Sequence, residues 1–316
     1  MKNKITHILT LLFAILVAAP VSGAPAQNAV KKSNSRKITV EKPDFDKISR
    51  VTRDPKSEFY FPTLMKVYNR NDTSMSKEQY RNLYLGYLFQ EDYDPYRTSP
   101  YNAQSDSLVD IVTATKTRLT ATTDSLNKLI KENKISGHEA EKKMERLNNA
   151  YKRQLRELST VTELSLKDNP FDLRQMSILV HASKEMGNMM KAKIWEYRLE
   201  NILGAIKSTG SGEDADNAFY VIYPMHEYNM IQLLGYTPTA VDFPAEGIDY
   251  ISVVPDDNSG RKIRKPVDGI YFNVGPLTEQ YELKHPEAAE DNTDASPAIA
   301  APDYTEAQEA DDIPAE

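Results

Sequence analysis

Apolar positions recur at three- and four-residue intervals from Phe45 to Leu234 and at every second residue beyond Phe243, which predicts a mainly helical body with a small antiparallel sheet near its C-terminal end. The clearest stretch is 169–206. Leu173, Met176, Leu179, Val180 and Met186 form one stripe that stops at Gly187-Asn188, and Ala192, Trp195, Leu199, Ile202, Leu203 and Ile206 form a second. Asn169 is placed to cap the first helix, with Pro170 at its first position, where a missing N–H costs nothing, and Asp172 in the first turn. Two such helices with a glycine between them predict a helical hairpin.

Shorter helices precede it. Phe45, Ile48 and Val51 share a face that Asp54-Pro55 closes, and Leu64, Met65 and Tyr68 follow Pro62. Ser76 and Gln79 have the spacing of a capping box ahead of Tyr80, Leu83, Tyr84, Tyr87 and Leu88. From Leu108 the pattern becomes a heptad: Leu108, Val112, Thr115, Leu119, Thr122, Leu126 and Leu129 are mirrored by Ala140, Met144, Leu147, Tyr151, Gln154, Leu158 and Val161, with Ser136 and Glu139 as a second capping box. This predicts an antiparallel helical arm over 105–167. At 1.5 Å per residue, helices of about 25 residues span roughly 38 Å, enough to stand off a compact body. Threonine buries less apolar surface than leucine, so the arm calls for the body or a second chain to cover it.

After Thr209-Gly210-Ser211-Gly212, the stripe Phe219, Ile222, Tyr223, His226, Met230, Leu233 and Leu234 predicts a helix interrupted at Pro224 and stopped by Gly235. A β element is expected over 241–275: Ile248, Tyr250, Ser252 and Val254 alternate with Asp249, Ile251 and Val253, and Ile270, Phe272 and Val274 alternate with Tyr271 and Asn273. Pro255 to Gly260 supplies a turn, Arg261 to Lys265 a basic loop or edge strand, and order is expected to end near Leu283.

The two ends differ from this body. Lys2 and Lys4 precede an apolar run from Ile8 to Ala19 and then small residues, the layout of a secretory signal over 1–26; a polar, basic lead over 27–42 separates it from a folded span over 43–283. The tail, 284–316, carries ten acidic residues and, beyond Lys284, no lysine or arginine, more than the net charge of −7 on the whole chain. What remains is nearly neutral, with no basic signature for nucleic acid or an anionic membrane. The chain has no cysteine, which excludes disulfides, thiolate metal sites, a thiol nucleophile and an acylated-cysteine anchor. These features describe a periplasmic or secreted protein, soluble and without an integral membrane segment once the signal is removed.

Two places could carry chemistry. Tyr84, Tyr87, Gln90, Tyr93 and Tyr96 lie in an aromatic-rich stretch that could stack a sugar or an aromatic ligand, although tyrosines at helical spacing ordinarily serve as core. His226-Glu227 sets an imidazole beside a carboxylate, the pieces of acid–base chemistry, but Met230 stands where H-E-x-x-H needs its second histidine, and His226 falls on an apolar stripe. Asp256, Asp257 and Asn258 lack the alternating ligands of a calcium loop. No nucleophile elbow, phosphate loop or dinucleotide fingerprint is present. The residues call for no catalytic assignment, no cofactor and no metal, and the reading leans away from an enzyme.

Two resemblances complete the reading. Met176, Leu179, Val180, Ser183 and Ala192 occupy spacings of a tetratricopeptide-type hairpin, with Glu196 where an aromatic is usual. More extensively, Pro43-Asp44-Phe45, the run Tyr80 to Tyr87, Asp94-Pro95-Tyr96, Asn169-Pro170-Phe171-Asp172, His226-Glu227-Tyr228 and Gly269 to Asn273 together resemble domain-of-unknown-function family 4919, exported proteins of Gram-negative gut bacteria. That resemblance implies a helical fold and export, and transfers no catalytic residue. The resulting expectation is a non-catalytic protein-interaction or binding module of the cell envelope, meeting an envelope protein partner through the arm 105–167; the alternative is a glycan-binding or glycan-active protein using 84–101.

Overall fold

In the computed structural model, residues 40–70, 73–260, 263 and 266–286 are described. The signal, nearly all of the lead, most of the basic run 261–265 and the acidic tail beyond 286 lie outside them. The described residues fall into two compact units, one made of those in 50–84 and 96–205, the other of those in 40–49, 85–95 and 206–286. Among the described residues no helix is long and apolar enough to cross a membrane.

The first unit is helical. Its short helices are α1 (Phe45–Arg53), shared with the other unit, α2 (Phe61–Asn69) and α3 (Lys77–Gly86). The capping box ahead of α3 forms, the Ser76 amide donating to Gln79 Oε1 at 2.9 Å and the Gln79 amide to Ser76 Oγ at 3.1 Å. Tyr68, Tyr80 and Tyr84 are fully buried with Phe171 between them, ring centroids 5.8 Å from Tyr68 and 6.1 Å from Tyr84. The Tyr84–Phe171 pair meets edge to face, the packing that aromatic quadrupoles favour, and the Tyr68–Phe171 pair is tilted.

The heptad arm consists of α4 (Asn102–Lys131, 30 residues) and α5 (Gly137–Asp168, 32 residues), and the Ser136–Glu139 box closes the head of α5. Their register holds along the whole length. Asn102 Oδ1 accepts from Ser165 Oγ at 2.6 Å, Ser105 Oγ lies 3.5 Å from Thr162 Oγ1, and far out along the arm Thr123 Oγ1 meets Met144 Sδ at 3.7 Å, so each step up α4 is matched by one step down α5. Threonines off the seam return their hydroxyls to the preceding turn, as Thr117 does to the Thr113 carbonyl and Thr120 to that of Lys116.

α5 also lies along α6 (Leu173–Glu185), its closest neighbour besides α4. The expected cap is displaced. Asp172, not Asn169, caps α6, its Oδ1 accepting from the Gln175 amide at 2.9 Å; Asn169 ends α5 and takes the Phe171 amide in a turn, so Pro170 stays outside the helix. The residue before a proline avoids helical angles, which stops α5 here and defers the next helix by three residues, from Pro170 to Leu173. Gly187, at φ +75°, then turns the chain into α7 (Met189–Lys207), and Lys184 pairs with Glu196 across the turn at 2.9 Å.

The second unit carries the sheet. Phe219–Tyr220 is a strand, β1, rather than the start of a helix, and α8 (Met225–Leu234) begins only after Pro224, which therefore heads the helix instead of kinking it. Proline pre-sets the first-turn angle and needs no partner there. β2 (Tyr236–Ala245), β3 (Ile248–Pro255) and β4 (Gly269–Asn273) follow, and α9 (Gly275–Lys284) is a helix the sequence pattern did not announce. The order is β1-β4-β3-β2, antiparallel except that β1 runs parallel to β4, so the sheet is mixed. Its buried face holds Ile251 and Val253 of β3 with Ile270 and Phe272 of β4, and Asp249 shares that face because it pairs with Phe272.

Candidate functional site

The aromatic stretch is divided between the two units, and most of its rings are core. Tyr84 is packed on Phe171 in the first unit, whereas Tyr87 and Tyr93 belong to the second. There Tyr87 and Tyr93 meet edge to face at 5.6 Å, both approach Tyr223, and Tyr223 in turn lies 5.0 Å from the His226 ring. The Tyr93 hydroxyl donates to the Ile222 carbonyl at 2.7 Å. Gln90 donates to the Gly86 carbonyl at 3.0 Å, and Lys284 of α9 reaches the carbonyls of Gln90 and Tyr93, the latter at 2.9 Å. Tyr84, Tyr87 and Tyr93 are thus buried against protein and offer no face on which a sugar could stack; Tyr96, at 36% exposure, is the one member of the expected platform with open ring surface. Burying each ring removes a large apolar surface from water, which is why Tyr84 joins the core of one unit and Tyr87 and Tyr93 that of the other.

His226 and Glu227 are adjacent on α8 yet point apart, as consecutive helical residues must. His226 is 2% exposed and sits with the aromatic rings. Glu227 is 3% exposed and hydrogen-bonds the Asp249 side chain on β3. Burial, then the neighbouring Asp249 carboxyl, holds Glu227 well above the usual carboxylate range, and burial pushes Asp249 up to about 6. Two carboxyl groups in contact away from water share a proton more readily than they bear two charges. Asp249 was missed in the sequence, although a carboxylate in register with Ile251 and Val253 is a legible signal. Among the described residues no group of three or more His, Cys, Asp or Glu side chains could hold a metal ion.

A second polar cluster, in the first unit, ties the base of the arm. Glu185 of α6 pairs with Lys116 of α4 at 2.9 Å and accepts from the Tyr151 hydroxyl of α5 at 2.7 Å, while His181 is buried one turn back on α6. Burial works to raise the Glu185 carboxyl, but Lys116 and Tyr151 outweigh it and leave Glu185 below its ordinary range. Burial pushes His181 down to about 4, so its imidazole is neutral at ordinary pH. Beyond this point the arm is less covered: among its stripe positions Leu126 and Ala140 are buried, whereas Leu119, Thr122, Leu129, Met144 and Leu147 are half-buried.

The family Domain of unknown function (DUF4919) matches residues 46–136 and 129–283, reaching from α1 to α9. The chain belongs to the DUF4919 family. The two matched segments overlap at the turn of the arm, so the matched residues take in both of its helices. No curated protein matches the chain, and no solved structure does.

Proposed function

We propose that this DUF4919 chain is an exported, non-catalytic interaction protein of the cell envelope that meets a protein partner through the outer part of the α4–α5 arm. One observation carries the reading: helices of 30 and 32 residues, about 45 Å long, hold an unbroken register while burying only the centre of their own seam beyond Lys116. A hairpin kept merely for stability gains little from turns that cover so little apolar surface, whereas a recognition helix needs such a face. The tetratricopeptide likeness of α6 and α7 is compatible with an interaction scaffold, and the signal-like N-terminus supports export.

Residues 119–148 can be replaced by a short connector, since Arg118 and Asn149 lie on either side of the excised register. Circular dichroism establishes that the shortened chain folds. Photo-crosslinkers placed in the full chain at Arg118, Lys131 and Arg146, all exposed, should give one discrete protein adduct in the native envelope, and the shortened chain should lose that partner in affinity capture. Equal recovery of the partner by the shortened chain rejects the arm as the binding element.

A further inference from the structure

The Glu227–Asp249 pair has a place in the fold that the interaction reading does not use. Glu227 belongs to α8, Asp249 to β3, and α8 is packed along the same sheet through β2. The pair therefore spans a helix–sheet seam. The face of the sheet that carries Asp249 is otherwise built by Phe219, Ile270 and Phe272 on β1 and β4, Ile251 and Val253 on β3, and Tyr236, Pro238 and Val241 on β2; among these strand residues Asp249 is the one carboxyl, and Asp268, just ahead of β4, stands opposite Val253 and accepts its amide on the backbone carbonyl at 2.9 Å. Asp242 of β2 pairs with Tyr250 and so stands on the opposite face. On α8 the remaining titratable groups are His226, turned to Tyr223, and Tyr228. The charge that Glu227 faces is Asp249, and the charge that Asp249 faces is Glu227.

We propose that this pair is a proton-dependent latch, which clasps α8 to the sheet while the two carboxyls share a proton and loosens the seam when both are ionised. With one proton shared, a buried acid donates to a partly exposed carboxylate, a strong charge-assisted bond. With none, two like charges face each other across a seam from which water is largely excluded, and the bond has no hydrogen.

The sign follows from linkage. Both acids titrate higher in the folded chain than in the unfolded one, so the folded state binds more protons, and the stability they confer is full below the unfolded carboxyl values, about 4, and is lost as pH rises from there through the folded values, about 6 for Asp249 and well above the ordinary range for Glu227. An interaction protein outside the cytoplasm would then hold this unit most firmly in acidic surroundings.

Amide hydrogen exchange of the full chain, read over 225–234 and 248–255 at about pH 4.5 and 8.5 and divided by the intrinsic rate at each pH, tests the latch. Protection should fall at least about tenfold across the window, because holding one excess proton costs tenfold per pH unit. Glu227→Gln, whose amide still donates to Asp249, should lose most of that fall, leaving only the part that burial of Asp249 itself contributes. Asp249→Asn, at a half-exposed position that tolerates an amide, should blunt the fall and serves where the first variant does not fold. Protection that is unchanged in the parent chain, or that falls as steeply in the variants, overturns the proposal.

Discussion

The Tyr151 hydroxyl on α5 donates to Glu185 Oε2 on α6 at 2.7 Å, while Lys116 on α4 takes the other oxygen at 2.9 Å. One carboxylate thus joins three helices at the point where the arm leaves the unit. Tyr151→Phe removes a single hydrogen bond and should cost about 1 kcal/mol. Glu185→Ala strands both partners and should cost about 2 kcal/mol, short of a buried pair's loss because Lys116 and Glu185 keep part of their surface in water. Urea unfolding of each variant measures both, and equal costs would mean that Lys116 gains nothing from the pair.

His181 makes the same unit sensitive to acid. Its folded value, about 4, lies below its unfolded value near 6.5, so the unfolded chain binds the extra proton, and stability present above pH 6.5 is lost as pH falls toward 4. The loss should be on the order of 3 kcal/mol. Exchange protection over 173–185 should drop in that window in the parent chain and much less in His181→Gln. The sheet unit has the opposite dependence, so the two can be told apart in one titration.

Ser105 donates to Gln175 Oε1 at 2.9 Å inside the contact of α4 with α6, and both side chains are fully buried. Ser105→Ala leaves an amide oxygen that water cannot reach and should destabilise the chain by about 1–3 kcal/mol. Pairing it with Gln175→Leu should recover part of that loss, which a double-mutant cycle in thermal unfolding would measure.

Gly212 holds φ +72°, and a Cβ there would come within 2.4 Å of the Phe219 ring and 2.9 Å of Ile270. Its carbonyl also accepts the Tyr271 amide at 3.0 Å, docking the loop on β4. Gly212→Ala should cost more than the roughly 1 kcal/mol of backbone strain alone, because the ring must move as well. A fall in the melting temperature of several degrees is expected, with far-ultraviolet dichroism unchanged.

Local signals were readable where local physics decides. The Ser76 and Ser136 boxes, the α4–α5 heptads and the β3 alternation each depend on neighbours within a few residues, and all appear as read. The misplacements occur where chain-distant partners compete. Phe219–Tyr220 has an apolar pattern that suits a helix, but β4 offers it a ladder; Asn169 and Asp172 are equally good caps until the path out of α5 selects one. The tyrosines after Tyr80 gave no sign that some would enter one core and some another, since that division is made by the chain crossing between units.

The amino-acid order alone determined the helical periodicity, the arm with its turn at Ser136-Gly137 and the alternating strands, because each is a free-energy preference of a short segment for its own conformation. Only the tertiary structure decided that Tyr84, Tyr87 and Tyr93 are core, that Glu227 meets Asp249 and that Glu185 gathers Lys116 and Tyr151. Those pairings join residues from separate elements, and burial and electrostatics act through space, with no trace in the spacing along the chain.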